Sequence, residues 1–174
     1  MNKPQQALLF CALCCVVAAP AQSQPQPRSV NEAAKRDEVI MVKDQDPAME
    51  AAFKKARATL DQFFALQAAP PPGTDRYAVK VAIRGNGRTE YFWVADLKRD
   101  GAMFSGVLNN TPRLVTHVRE GETVRFARAD IYDWTYRDNP NRRTMGNFTA
   151  CALLTHEPPA AAAEFKRTRG LQCD

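Results

Sequence analysis

The sequence predicts an α+β domain: an antiparallel β-sheet of about five strands packed against an N-terminal amphipathic helix and a short C-terminal helix. Three observations carry that expectation. Apolar residues recur every three or four positions from Met49 to Phe64, and the period switches to two at Tyr77. Most of the aromatic residues then fall between Tyr77 and Phe148, which marks that stretch as the core. At 174 residues, 45% hydrophobic and 25% charged, the chain suits one domain and is too apolar to be disordered throughout.

The chain begins with the pattern of an export signal. Lys3 gives a short positive start, Ala7 to Ala19 is apolar, and Ala19-Pro20-Ala21 places small residues where a signal peptidase reads. Residues 1–21 are therefore expected to be a signal peptide cut after Ala21, too short to remain as a stable membrane span. The rival is a lipoprotein anchor on Cys11, Cys14 or Cys15. Phe10, Leu13 and Cys14 precede them, where a lipobox needs a small residue. The expected location is periplasmic or secreted. Residues 22–43 are polar, with Pro25 and Pro27, and read as a flexible leader; residues 44–174 form one domain. Three of the five cysteines leave with the signal. In an oxidising compartment the remaining pair, Cys151 and Cys173, is expected to form a disulfide, worth about 3 kcal/mol in the chain-entropy model. A reactive cysteine is the alternative, but there is no C-x-x-C, and only His117 and His156 are available as bases.

The elements follow in order. Asp46 can cap a helix whose first position is Pro47, and Met49, Phe53, Ala56, Leu60 and Phe63/Phe64 form its apolar face. Pro70-Pro71-Pro72-Gly73 ends it. Tyr77, Val79, Val81 and Ile83 alternate with Ala78, Lys80, Ala82 and Arg84. The Gly85-Asn86-Gly87 turn then leads into a strand from Glu90 to Leu97. Asp100-Gly101 turns into Met103 to Leu108. Glu120-Gly121 separates two extended runs, Val115 to Arg119 and Thr123 to Ala127, and a last strand spans Ile131 to Arg137. Phe148 to Leu154 fits both periods. The alanines after Pro158-Pro159, up to Arg167, read as a terminal helix.

Several segments together resemble a known family. They are Glu90-Tyr91-Phe92-Trp93-Val94, Phe104 to Pro112, Gly121-Glu122-Thr123-Val124, Asp130 to Tyr136, and Gly146-Asn147-Phe148-Thr149. In this order they resemble the YegJ-like family of bacterial domains of unknown function, over roughly Asp46 to Lys166. Cys151 departs from the family pattern, which often has a basic residue there; the departure suits a disulfide. The resemblance implies the fold and brings no established activity.

No chemical constellation stands out. His117 and His156 lack metal-ligand spacing, so neither a metal nor a cofactor is expected. Asp130 and Asp133 lie three apart in an extended run and should face opposite ways; Asp133 is expected to bond a backbone amide, cap a turn or pair with Arg137. There is no nucleophile elbow, and Gly85-Asn86-Gly87 joins two strands rather than opening a helix. Arginines interleave with Tyr132, Trp134 and Tyr136, but an exported address and a net charge of only +5 argue against nucleic acid as partner. The candidate binding residues are Asn109, Asn110, Asp133, Trp134, Asn147 and Thr149: amide and hydroxyl groups at element ends, beside an aromatic strand. The turn-forming habit of Asn and Thr is the competing reading. The expected function is a non-enzymatic exported module that binds a protein or an envelope polymer. The alternatives are an inhibitor or immunity-type protein, and an enzyme with an unrecognised site.

Overall fold

The computed structural model describes residues 46–173, so the signal segment and the leader lie outside the described residues. The described chain runs α1 (Pro47–Ala58), α2 (Leu60–Ala68), β1 (Thr74–Gly85), β2 (Arg88–Asp100), β3 (Met103–Leu108), β4 (Thr123–Ala127), β5 (Ile131–Asp138), β6 (Arg143–Gly146), α3 (Phe148–Leu154) and α4 (Pro159–Arg169). The strands form one antiparallel six-stranded sheet in the order β4-β3-β2-β1-β5-β6.

The helix start is as the sequence implies. Asp46 is extended, and its Oδ1 accepts the Ala48 amide at 2.9 Å, with Pro47 at the first position. The single expected helix is in fact two. The Thr59 hydroxyl donates back to the carbonyls of Lys55 and Ala56, a local bond that competes with the helical ladder, and the axis breaks there. The β1–β2 turn has Asn86 and Gly87 at φ 53° and 69°, the left-handed pair that a tight hairpin requires.

Three segments differ from or complete the sequence reading. Val115 to Arg119 is loop rather than an extended run, because the amides of Arg113, Leu114 and Val115 are taken by the side chain of Glu90 instead of a neighbouring strand. β6 is an additional strand of four residues, pairing Thr135 with Gly146 through to Asp138 with Arg143. Phe148–Leu154, ambiguous by period, is helical.

The core lies between α2 and one face of the sheet, where Leu60 and Phe63 meet Val79, Val81, Phe92, Val94, Leu108 and Ile131. Trp134 closes it. Its ring lies 5.3 Å from Phe63 and from Phe148, and its indole N–H donates to the Thr59 hydroxyl at 3.0 Å. Gly146 fits beneath this ring at φ 70°; a Cβ there would stand 2.2 Å from the Trp134 carbonyl oxygen. A smaller cluster of Leu154, Ala162, Phe165 and Leu171 holds α4, and the Cys151–Cys173 disulfide ties the tail to α3.

The two sides of the sheet end differently. Beside β6, Leu171 forms a parallel bridge with Thr144, and the Ile131 carbonyl of β5 accepts Arg57 Nε at 3.4 Å. β4 has no partner strand beyond β3 among the described residues, and its Thr123 and Arg125 are exposed. No helix among the described residues is long and apolar enough to cross a membrane.

Trp134→Ala is expected to lower unfolding free energy in urea by about 3–5 kcal/mol, because it removes a large buried ring and leaves a cavity. A loss below about 1 kcal/mol would contradict the packing described for this ring.

Candidate functional site

In antiparallel pairs, opposed residues point to the same face. Trp93 pairs with Lys80, and Lys80 pairs with Asp133, so these three make a row across β2, β1 and β5. By alternation the row lies on the face opposite Val79 and Val81. A register shift in β5, between the partners of Lys80 and Val81, puts Asp133 in line with Lys80.

Asp133 is fully buried and its carboxylate is filled with donors. Oδ1 accepts the amides of Trp134 at 2.8 Å and Phe148 at 3.2 Å; Oδ2 accepts the Thr149 amide at 2.8 Å and the Thr149 hydroxyl at 2.6 Å. Phe148 and Thr149 open α3. The residue before them, Asn147, is left-handed and makes no side-chain cap, so Asp133 caps this helix from a strand. Thr149 Oγ1 in turn accepts from Lys80 Nζ at 2.5 Å, and the ammonium stands 4.7 Å from the Trp93 ring centre. Lys80 thus reaches Asp133 through a hydroxyl.

Burial works against both charges. It pushes the Lys80 ammonium below its ordinary pKa, and the charge of Asp133 opposes this. It pushes the Asp133 carboxyl up, opposed by Lys80 and by the hydrogen bonds from Thr149 and Trp134.

At the other end of the row, the Trp93 amide donates to Asn110 Oδ1 at 2.7 Å, and the Trp93 carbonyl accepts the Asn109 amide at 2.8 Å. The two polar loops singled out in the sequence therefore meet one row from opposite ends. Asp133 and Thr149 lie within it, Asn110 anchors Trp93, and Asn109 is exposed beside it. Asn147 contributes backbone: its amide donates to the Trp134 carbonyl, and its carbonyl accepts from Ala150. Trp134 lies on the other face, in the core. Asp130 is engaged elsewhere, with Arg84 at 3.0 Å. Arg137 bonds Thr144 and the Arg169 carbonyl rather than Asp133. His156 pairs with Asp46 at 2.6 Å, at the cap of α1. Among the described residues no group of three or more His, Cys, Asp or Glu is placed to hold a metal.

Three residues escaped the sequence reading: Lys80, Trp93 and Glu90. Lys80 read as an outward strand position, yet Ala78 and Ala82 flank it on the same face and both are buried. Two alanines around a lysine signal a face that is partly covered. Glu90 shares strand parity with the apolar Phe92 and Val94, which placed it inward; it is fully buried and holds the amides of residues 113–115 at 2.9 to 3.2 Å.

Two expectations follow. Glu90→Gln replaces a charged acceptor of backbone amides and should cost about 2 kcal/mol, with faster hydrogen exchange at Arg113 to Val115; unchanged exchange there would contradict the bonding. Lys80→Met leaves the Asp133 charge buried without its countercharge and should cost about 3–5 kcal/mol. Adding Asp133→Asn should then cost far less than it does alone, as a double-mutant cycle in urea measures; additive losses would show that the two charges do not interact.

The profile of a bacterial family described as "uncharacterized protein conserved in bacteria" (DUF2314) matches residues 46–173, which is the whole described domain. The chain is 35% identical over 119 residues to the uncharacterized protein YegJ of Escherichia coli strain K12, covering 68% of this chain and 75% of that one. It is also 39% identical over 64 residues to a putative ankyrin repeat protein of Neisseria meningitidis serogroup B, a match spanning 37% of this chain and 24% of the relative. No solved structure matches. The family profile covers the strands that carry the row of Trp93, Lys80 and Asp133, and the chain belongs to the DUF2314 family of uncharacterised proteins conserved in bacteria.

Proposed function

We propose that this is an exported, non-enzymatic binding module, cut after Ala21, whose partner meets the sheet face around the partly buried Trp93. One observation carries the reading. The buried carboxylates Glu90 and Asp133 are occupied by the fold's own amides, whereas Trp93 is only partly buried, in the middle of a sheet face with Lys80 against its ring. A large aromatic ring on a rigid strand, with polar loops at its side, is the usual composition of a recognition surface. The signal-like start of the sequence and a Cys151–Cys173 disulfide, which suits an oxidising compartment, support the reading of export. The partner is a protein or an envelope polymer.

Native mass spectrometry of the chain, taken gently from its host's envelope, tests this. The expected result is a mature chain beginning at Gln22 that carries a stoichiometric partner, with the partner lost in Trp93→Ala. An uncut chain in the cytoplasmic fraction would overturn export, and a partner retained in full by Trp93→Ala would overturn the face.

A further inference from the structure

We propose that the corner where the β5–β6 turn meets the end of α4 is a cationic docking surface for an anionic phospholipid bilayer. It goes beyond the binding face around Trp93 and does not depend on it, since β1 and β5 stand between β2 and β6 in the sheet.

Charge is the first observation. Residues 137–143 carry Arg137, Arg142 and Arg143 against Asp138, and residues 164–169 carry Lys166, Arg167 and Arg169 against Glu164. Six basic and two acidic residues leave these two segments with +4, close to the +5 of the whole chain. Both acids are engaged locally. Glu164 holds Arg167 at 2.7 to 3.1 Å. Asp138 stands opposite Arg143, but its oxygens accept the backbone amide of Asn141 at 3.3 Å and its side-chain amide at 2.8 Å. Among the described residues Arg142, Arg143, Lys166 and Arg169 form no ion pair.

The fold holds the two segments together. The Thr144 amide donates to the Gly170 carbonyl at 2.8 Å and its hydroxyl to the Arg169 carbonyl at 2.7 Å; Arg137 Nη1 donates to that same carbonyl at 3.0 Å. Gly170 ends α4 at φ 64°, and a Cβ on it would stand 2.1 Å from the Arg142 carbonyl oxygen, so glycine is what lets the turn come this close. The Cys151–Cys173 disulfide fixes the chain just beyond. Cations in the last turn of α4 suit the negative end of a helix. That reason does not reach Arg142 and Arg143, which are exposed on the turn beside it. Bringing like charges together without free acids between them opposes folding, and a local conflict of this kind marks a surface kept for binding.

The partner follows from the chemistry. Five of the six cations are arginines, whose planar fork matches the oxygens of a phosphate. They are spread over two surface segments, which suits a field of headgroups, and each basic residue near an anionic bilayer adds to the attraction. Single-stranded nucleic acid also presents phosphates, but its bases stack on exposed aromatic rings, and the sole aromatic residue of these segments, Phe165, is buried.

The test sediments the chain from Gln22 onward, which omits the apolar start, with vesicles of phosphatidylcholine alone or containing about one third phosphatidylglycerol. Binding is expected only to the anionic vesicles, weakening severalfold between about 0.1 M and about 0.5 M salt as screening shortens the reach of the charges. R142Q/R143Q should lower the partition coefficient about tenfold or more, and K166Q/R169Q likewise, so the test stands if one variant misfolds. R88Q/R119Q removes the same charge at the far end of β1 and ahead of β4, and should change partitioning by less than about twofold. Absence of binding to the anionic vesicles, or equal loss in all three variants, would overturn the proposal. So would a single-stranded oligonucleotide bound more tightly than the vesicles and released by R142Q/R143Q, which would assign the corner to nucleic acid.

Discussion

A buried carboxylate in the middle of a sheet is costly unless every lone pair is met, and Asp133 is the point at which this fold meets that condition. Its two oxygens collect three backbone amides and one hydroxyl, from β5 itself and from the first turn of α3. The consequence is positional. The start of α3 cannot move relative to β5 without exposing either a buried charge or unpaired amides. Because Thr149 also takes the Lys80 ammonium, β1 is drawn into the same network. Packing then follows from that fixed corner: Phe148 sets its edge against Trp134, and Trp134 closes on Phe63.

Glu90 performs a parallel task on the opposite face. There the segment after β3 must cross the domain without a strand to pair with, and its amides would be unpaired in a buried place. One carboxylate at the start of β2 receives three successive amides and lets Val115 enter the core. Two acids in an otherwise apolar interior thus replace ladder hydrogen bonds where the ladder stops. Each is a local solution to backbone satisfaction.

The sequence disclosed the hairpins, the helix cap and the core ring at Trp134 because those depend on neighbours along the chain: Asn86-Gly87, Asp46-Pro47, and the alternation of Trp134 with Tyr136. The break at Thr59 depends on a hydroxyl bonding backward, which periodicity does not register. β6 is four residues of ordinary polarity held by pairing with β5, so its strand character comes from tertiary context. The site divides in the same way. Thr149 was visible as a hydroxyl at an element end, and Asp133 as a strand carboxylate expected to bond a backbone amide. Lys80 was not, because its role arises from strand register across Trp93 and Asp133, and register between distant strands is not written in either one alone.

The unequal edges of the sheet set how copies of this chain can associate. On the β6 side the C-terminal segment occupies the outer position through Leu171, and the upper part of β5 gives its Ile131 carbonyl to α1. β4 alone among the described strands keeps an unpaired flank, five residues long and marked by the charged Arg125. Among the described residues, β4 is thus the flank best placed for strand pairing with a second copy, and such a union would occupy that flank in each.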